Sequence, residues 1–124
     1  LAARLSYAAA GHGPLLFYRR AEDRFEELPS TGLPLGIIPE EDYDQLAVQA
    51  FERGDLAVIT TDGFFEATDA AGEPFGVPRM IDILRRSRDL PAEGMIERLH
   101  RAVLDFTADR PQADDLTVLV IRRR

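Results

Sequence analysis

The sequence predicts an α+β fold built on a largely antiparallel sheet. Three observations carry that reading. Strand-like segments crowd the first half, two helical patterns follow, and one strand closes the chain. Runs of strands followed by helices favour α+β over alternating βαβ units. Two segments, Leu56–Thr61 and Leu116–Ile121, are apolar on both faces, as covered central strands are. At 124 residues and 45% hydrophobic composition, the chain is long enough for one domain with its own core and short for two.

The elements follow in order. Strand character is already present at Leu1, and Arg4 to Arg20 reads as strand, turn and strand, with Ala10-Gly11-His12-Gly13-Pro14 as the turn. Leu15 to Tyr18 is an apolar run of strand length, and a third strand is expected near Arg24 to Leu28. "PSTGLPLGIIPEED" carries three prolines and two glycines and reads as a surface loop, in which Gly36 suits a loop conformation. Leu46, Val48 and Ala50 alternate, which favours a strand over a short helix. Gly54-Asp55 turns the chain into Leu56–Thr61, and Asp62-Gly63 turns it out again. A helix is expected to start at Pro78, with Met80, Ile81, Ile83 and Leu84 as its stripe and Arg85, Arg86 and Arg88 at its C-terminal end. Pro91 opens a second, with Met95, Ile96, Leu99, Ala102, Val103 and Phe106 at helical spacing. His100 sits beside that stripe and is assigned no role. "DRPQADD" breaks this helix before Leu116–Ile121.

Composition excludes several function classes. Without cysteine there is no disulfide framework and no thiolate metal site. A net charge of −7 makes nucleic acid an unfavourable partner. No apolar run reaches the roughly 20 residues of a membrane helix, and a cytoplasmic location is expected. All fifteen basic residues are arginine, a bias of coding more than of chemistry. Arg53-Gly54-Asp55 spells an integrin-binding tripeptide, but its position at the start of a strand points to chance. The span Asp62 to Glu73 has the length of a calcium EF-hand loop, but Phe64 and Ala67 stand where a ligand and a glycine are required.

The chemistry concentrates at two acidic sites. Asp62-Gly63 follows one two-sided strand and Asp114-Asp115 precedes the other. If these strands are antiparallel neighbours, the end of one lies beside the start of the other, and the carboxylates share an edge. Crowded carboxylates repel unless a cation or proton lies between them, and hard oxygen donors suit Mg²⁺ or Mn²⁺. Asp-Gly is also ordinary turn chemistry, and spacing alone does not show that the strands pair. His12, between two glycines, is either a turn-packing residue or a group near the same edge.

Four blocks occur in order: "YAAAGHGPLLFYRR", "GLPLGI", "GDLAVITTDGFFEATDAAGEPFG" and "DDLTVLVIRR". Together they span Tyr7 to Arg123 and resemble the later part of the bacterial stage II sporulation protein E-like phosphatases. That branch belongs to the PPM family of metal-dependent serine/threonine protein phosphatases. The resemblance implies a partial α-β-β-α sandwich, with two helices before the last strand and two Mn²⁺ or Mg²⁺ ions in the complete domain. It implies that Asp62 and Asp114 are metal ligands. Asp115, Gly63 and Glu66 are then supporting groups, and His12 is adjacent to the site. It implies hydrolysis of phosphoserine or phosphothreonine by a metal-held water, with no further catalytic side chain. The implied substrate is a regulatory phosphoprotein of the anti-sigma-factor-antagonist type, in a protein carrying an upstream sensor domain. The family's early Gly-Asp blocks, one of which bridges both ions, do not match any segment here. Residues 1–124 therefore read as one incomplete domain with its N-terminal motifs missing, expected to need a partner segment or to self-associate. The competing reading is a non-catalytic interaction module of the same fold, inactive for want of those blocks.

Overall fold

The computed structural model describes residues 3–108 and 110–124. The expectations for strand character at Leu1 and for Asp109 in the break after the last helix lie outside them. The elements run β1 (Arg4–Tyr7), β2 (Leu15–Arg19), β3 (Arg24–Leu28), β4 (Ala47–Ala50), β5 (Leu56–Thr60), α1 (Asp62–Glu66), α2 (Gly76–Arg86), α3 (Ala92–Thr107) and β6 (Val118–Arg122). Strands β1 and β4 pair antiparallel, and four strands form a second sheet in the order β3-β2-β5-β6. This is the α+β arrangement with antiparallel pairing that the segment order implied. The chain divides into two compact units, the residues through Val58 with Arg122–Arg124, and Ile59–Ile121, so that β5 and β6 contribute to both.

In the first unit, β2 and β3 form a hairpin in the register Leu15↔Leu28 to Arg19↔Arg24. The connection works because Asp23 takes a left-handed conformation, φ 46°, which an aspartate tolerates better than most residues, and accepts a 2.8 Å bond from the Tyr18 hydroxyl. The four residues Leu15–Tyr18 are all buried, as the unbroken apolar run required. Phe17 packs against Phe51 with centroids 5.6 Å apart, and Arg19 donates to the Ala50 carbonyl and the Gln49 amide oxygen, each at 2.7 Å. These contacts tie β2 to β4 and hence one sheet to the other.

Asp55 is the hub of this unit. It is only 2% exposed, and its two carboxylate oxygens accept the backbone N–H groups of Arg20 (2.9 Å) and Glu52 (2.8 Å). An aspartate so engaged is not available to a receptor, which gives the Arg53-Gly54-Asp55 tripeptide a structural role.

The β4 alternation has the opposite sense from the one its apolar residues suggest. Leu46 and Val48 are exposed, while Ala47 and Gln49 are the half-buried residues. The inward face is claimed by Gln49 because Arg19 needs an acceptor there, and a half-buried guanidinium is costly without one.

In the second unit, α2 and α3 pack together and bury Met80 and Leu84 of the one and Met95, Leu99 and Val103 of the other, all from the stripes the helical spacing singled out. Phe75 meets Phe106 edge-on at 5.2 Å. Arg79 lies 4.8 Å over the Phe106 ring and donates to the carbonyls of Pro74 and Phe75, the open end of the chain leading into α2. Helix α2 begins at Gly76, not Pro78, so the proline occupies the third helical position, still within the first turn where its missing N–H costs nothing. Pro91 stands directly before α3 as its cap residue.

Two further expectations are corrected. Asp62-Gly63 is not a simple turn but the start of the short helix α1. The last strand begins at Val118 rather than Leu116 and is only half-buried, with Leu119 52% exposed. It ends the row of four strands, so it has a pairing partner on one side only among the described residues. Among those residues, no helix is long and apolar enough to cross a membrane.

Candidate functional site

The site is built where β5 runs out beside the approach to β6. Gly54 donates to the Arg123 carbonyl (2.9 Å) and Arg123 to that of Asp55 (3.1 Å), while Thr61 at the other end donates to Thr117 (3.0 Å). The pairing of low numbers with high ones makes these strands antiparallel, the condition under which the two acidic sites share an edge.

Thr61 closes that edge. Beyond its backbone bond, its hydroxyl donates to the Asp115 carbonyl (3.1 Å) and accepts the Thr117 N–H (3.0 Å). Thr61 is also the residue that caps α1, yet its side chain makes no capping bond within that helix. The hydroxyl is spent on the neighbouring strand instead, so helix start and strand approach are held by one side chain.

Gly63 makes the close approach possible. It is buried in α1, and a Cβ built on it would collide with the backbone carbonyl oxygen of Asp115 and press on Leu116. The constraint is one of space, since its φ is not positive. Gly63→Ala is therefore expected to push the 114–116 segment outward and cost about 1–3 kcal/mol, the usual penalty of overpacking. Urea denaturation measures the cost, and a change below about 0.5 kcal/mol would show that the segment yields without strain.

Asp62 is the first residue of α1 and Glu66 the last, both exposed. Asp114 and Asp115 lie in the exposed approach to β6. One carboxylate oxygen of Asp114 accepts the Asp115 N–H at 2.7 Å, and the Asp114 carbonyl accepts from the Gln112 side chain at 2.8 Å. Asp62, Gly63, Glu66, Asp114 and Asp115 thus all belong to the second unit, with Gly63 against Asp115. His12 belongs to the first unit, exposed in the loop between β1 and β2, with Nδ1 3.1 Å from the Gly13 carbonyl oxygen.

These donors fit a hard divalent cation in kind. They are exposed carboxylates that water can supplement, and Mg²⁺ in particular is commonly held by one or two carboxylates with several waters retained. Among the described residues, no three or more His, Cys, Asp or Glu side chains gather closely enough to hold a metal. Among the described residues the edge therefore offers no cage of three or more such side chains.

Next to this edge lies a cavity of about 370 Å³, lined in part by Gly63, Glu66, Leu104, Arg110, Asp114 and Leu116. Arg110 donates to the Asp69 carbonyl, fastening the segment after α3 to the loop after α1. Asp69 holds that loop in turn, its Oδ1 accepting the N–H groups of Ala71 and Glu73, both at 2.9 Å. Sequence reasoning did not single out Thr61 or Arg110. A threonine directly before Asp-Gly at a strand end was a usable signal, since hydroxyl residues close such junctions. Arg110 gave none, because its acceptor is a backbone carbonyl.

Comparison with known proteins shows the family and the fold. Residues 2–124 match the family model described as stage II sporulation protein E (SpoIIE). The chain is 31% identical over 121 residues to the phosphoserine phosphatase RsbU of Bacillus subtilis, covering 98% of this chain and 35% of that protein. It therefore spans about a third of that relative's length. Among solved structures, the SiaA-PP2C domain of Pseudomonas aeruginosa superposes with a TM-score of 0.82 at 25% identity, over 98% of this chain and 47% of that one. The SpoIIE PP2C phosphatase domain with a fragment of its regulatory domain, from Bacillus subtilis, gives 0.72 at 25% identity, over 97% and 34%. With a matched family model over nearly its whole length, the chain belongs to the SpoIIE family of PP2C-type phosphatase domains.

Proposed function

We propose that this chain is the later part of a metal-dependent phosphatase domain that removes phosphate from serine or threonine on a regulatory protein in bacterial signalling. The observation that carries the reading is the latch at Thr61, which brings the Asp62 helix against the Asp115 carbonyl and so sets both acidic blocks at one edge. The kinship to a phosphoserine phosphatase supports it.

In this reading Asp62 and Asp114 supply two oxygen ligands to Mn²⁺ or Mg²⁺. When bound, such ions lower the pKa of a coordinated water and neutralise charge developing on phosphate. The work of this chain is positional. Gly63 lets α1 come close, Thr61 fixes its start, and Asp115 offers its backbone carbonyl to Thr61. Glu66, one turn along α1, faces the cavity and adds negative charge near the cation. The substrate is a phosphoprotein of the anti-sigma-factor-antagonist type, the setting is cytoplasmic, and an upstream sensor domain controls the activity. The domain comprises residues 1–124 together with further motifs that supply the remaining ligands.

The test is phosphate release from a phosphoserine protein by the whole protein, stripped with chelator and then given Mn²⁺. Release should be lost on stripping and restored by the ion. Turnover that survives stripping would refute the metal role. A second reading, the non-catalytic interaction module, is favoured by the lack of any gathering of three metal-binding side chains among the described residues. Absence of phosphate release under every ion would establish it in place of the first.

A further inference from the structure

Six of the eight large apolar side chains that stand exposed among the described residues lie between Leu33 and Val48. Exposed apolar surface is thus concentrated in one segment of the first unit, and such concentrations mark sites of protein contact. The segment is held in place. The backbone N–H groups of Thr31 and Gly32 donate to the Ala9 carbonyl at 3.1 and 3.0 Å, and the Tyr43 hydroxyl donates to the Leu33 carbonyl at 2.8 Å. Gly32 leaves room for the Tyr43 ring, which a Cβ there would approach to 3.0 Å, and Gly11 does the same for Pro34. The two ends of the loop are therefore fastened together, as in the compact surface loops that carry function. Its tip still turns outward, with Leu35 75% and Ile37 64% exposed, and Leu33 and Ile38 exposed as well. The tip runs into Glu40, Glu41, Asp42 and Asp44, none of which forms an ion pair among the described residues. No basic residue occurs in the sequence between Arg24 and Arg53.

We propose that the loop from Leu33 to Asp44 is a docking surface for a segment of a partner protein that is apolar on one face and basic around it, an amphipathic helix rich in Arg or Lys. The proposal stands independently of the phosphatase reading. Charge selects the occupant. The aliphatic tip rewards any apolar surface, but the four carboxylates that follow it repel an acidic partner and attract a cationic one. A second copy of this chain, meeting the same surface across a two-fold axis, would set those carboxylates against their own kind. An anionic lipid surface is repelled for the same reason. Because the loop is fastened at its base, little chain freedom is lost when the partner docks.

Three labelled helical peptides test the surface by fluorescence anisotropy with the whole protein. One carries Leu on one face and Lys around it, the second has Glu in place of Lys, and the third has Ser in place of Leu. The Leu/Lys peptide should bind at least about tenfold more tightly than either of the others. Leu35→Ser with Ile37→Ser should weaken it by about tenfold, and both side chains are exposed, so the fold is not at stake. Glu40→Gln with Asp44→Asn should weaken it by about threefold at low salt and flatten its salt dependence. Glu93→Gln with Glu97→Gln removes the same charge from α3 and should change the affinity by less than about twofold. Equal binding of the Leu/Glu peptide, or loop variants that bind as the parent does, would overturn the proposal. So would a whole protein that binds none of the peptides, its loop then being covered by another segment of its own. Association between copies that is abolished by Leu35→Ser with Ile37→Ser would overturn it in favour of a second copy as the occupant.

Discussion

Asp62→Asn should lower Mn²⁺-dependent phosphate release by more than about a hundredfold. Residues that merely orient metal ligands cost 10–100-fold when changed, so loss of a ligand's charge should cost more. Asparagine keeps the shape and one oxygen, so α1, Gly63 and the Thr61 latch stay in place. Asp114→Asn should behave in the same way. The informative measurement is the double variant. If both carboxylates serve one ion arrangement, removing the second adds little to the loss from the first, as for residues that act as a unit. Losses that multiply would mean that the two aspartates act separately, and unchanged turnover in either would remove that residue from the site. The Mn²⁺ concentration at half-maximal rate should rise in each single variant, which separates ligand loss from a purely structural effect.

Asp55→Ala should be strongly destabilising, at about 2–4 kcal/mol. Each hydrogen bond to a charged group is worth about 1.5–3 kcal/mol, and two backbone N–H groups lose their acceptor together. The estimate is held below the sum because Arg20 and Glu52 are exposed residues whose amides can partly recover water. Against a typical total of about 5–15 kcal/mol the loss is large. Asp55→Asn, which keeps the shape but turns an N–H₂ towards one of the donors, should fall between alanine and the parent. Chemical denaturation reads both, and an alanine variant within about 0.5 kcal/mol of the parent would show that the carboxylate is dispensable.

The sequence made the covered strands and the helix stripes legible because each depends on its own residues. Leu15–Tyr18 and Leu56–Val58 are buried as their unbroken apolar runs required, and Met80, Leu84, Met95, Leu99 and Val103 face inward at helical spacing. What depends on a neighbour was harder to read. The face of β4 is set by the needs of Arg19, so Gln49 turns inward and Val48 outward against their hydropathy. Leu119 is exposed on β6, the last strand of the sheet order among the described residues, although its apolar segment reads as covered on both faces. At the acidic edge, the ordered blocks named Asp62, Gly63 and Asp114, whereas Thr61 and Arg110 act through backbone carbonyls that leave no mark in composition.

The bonds made by Thr61 have a consequence for when order is acquired. Its hydroxyl carries no charge near neutral pH, and its partners are main-chain groups of Asp115 and Thr117. The acidic edge is thus assembled by interactions that neither titrate nor require an ion. The loss of chain freedom at this edge falls within folding, so a cation held as proposed would meet a backbone already organised, and its affinity would not be diminished by having to organise it.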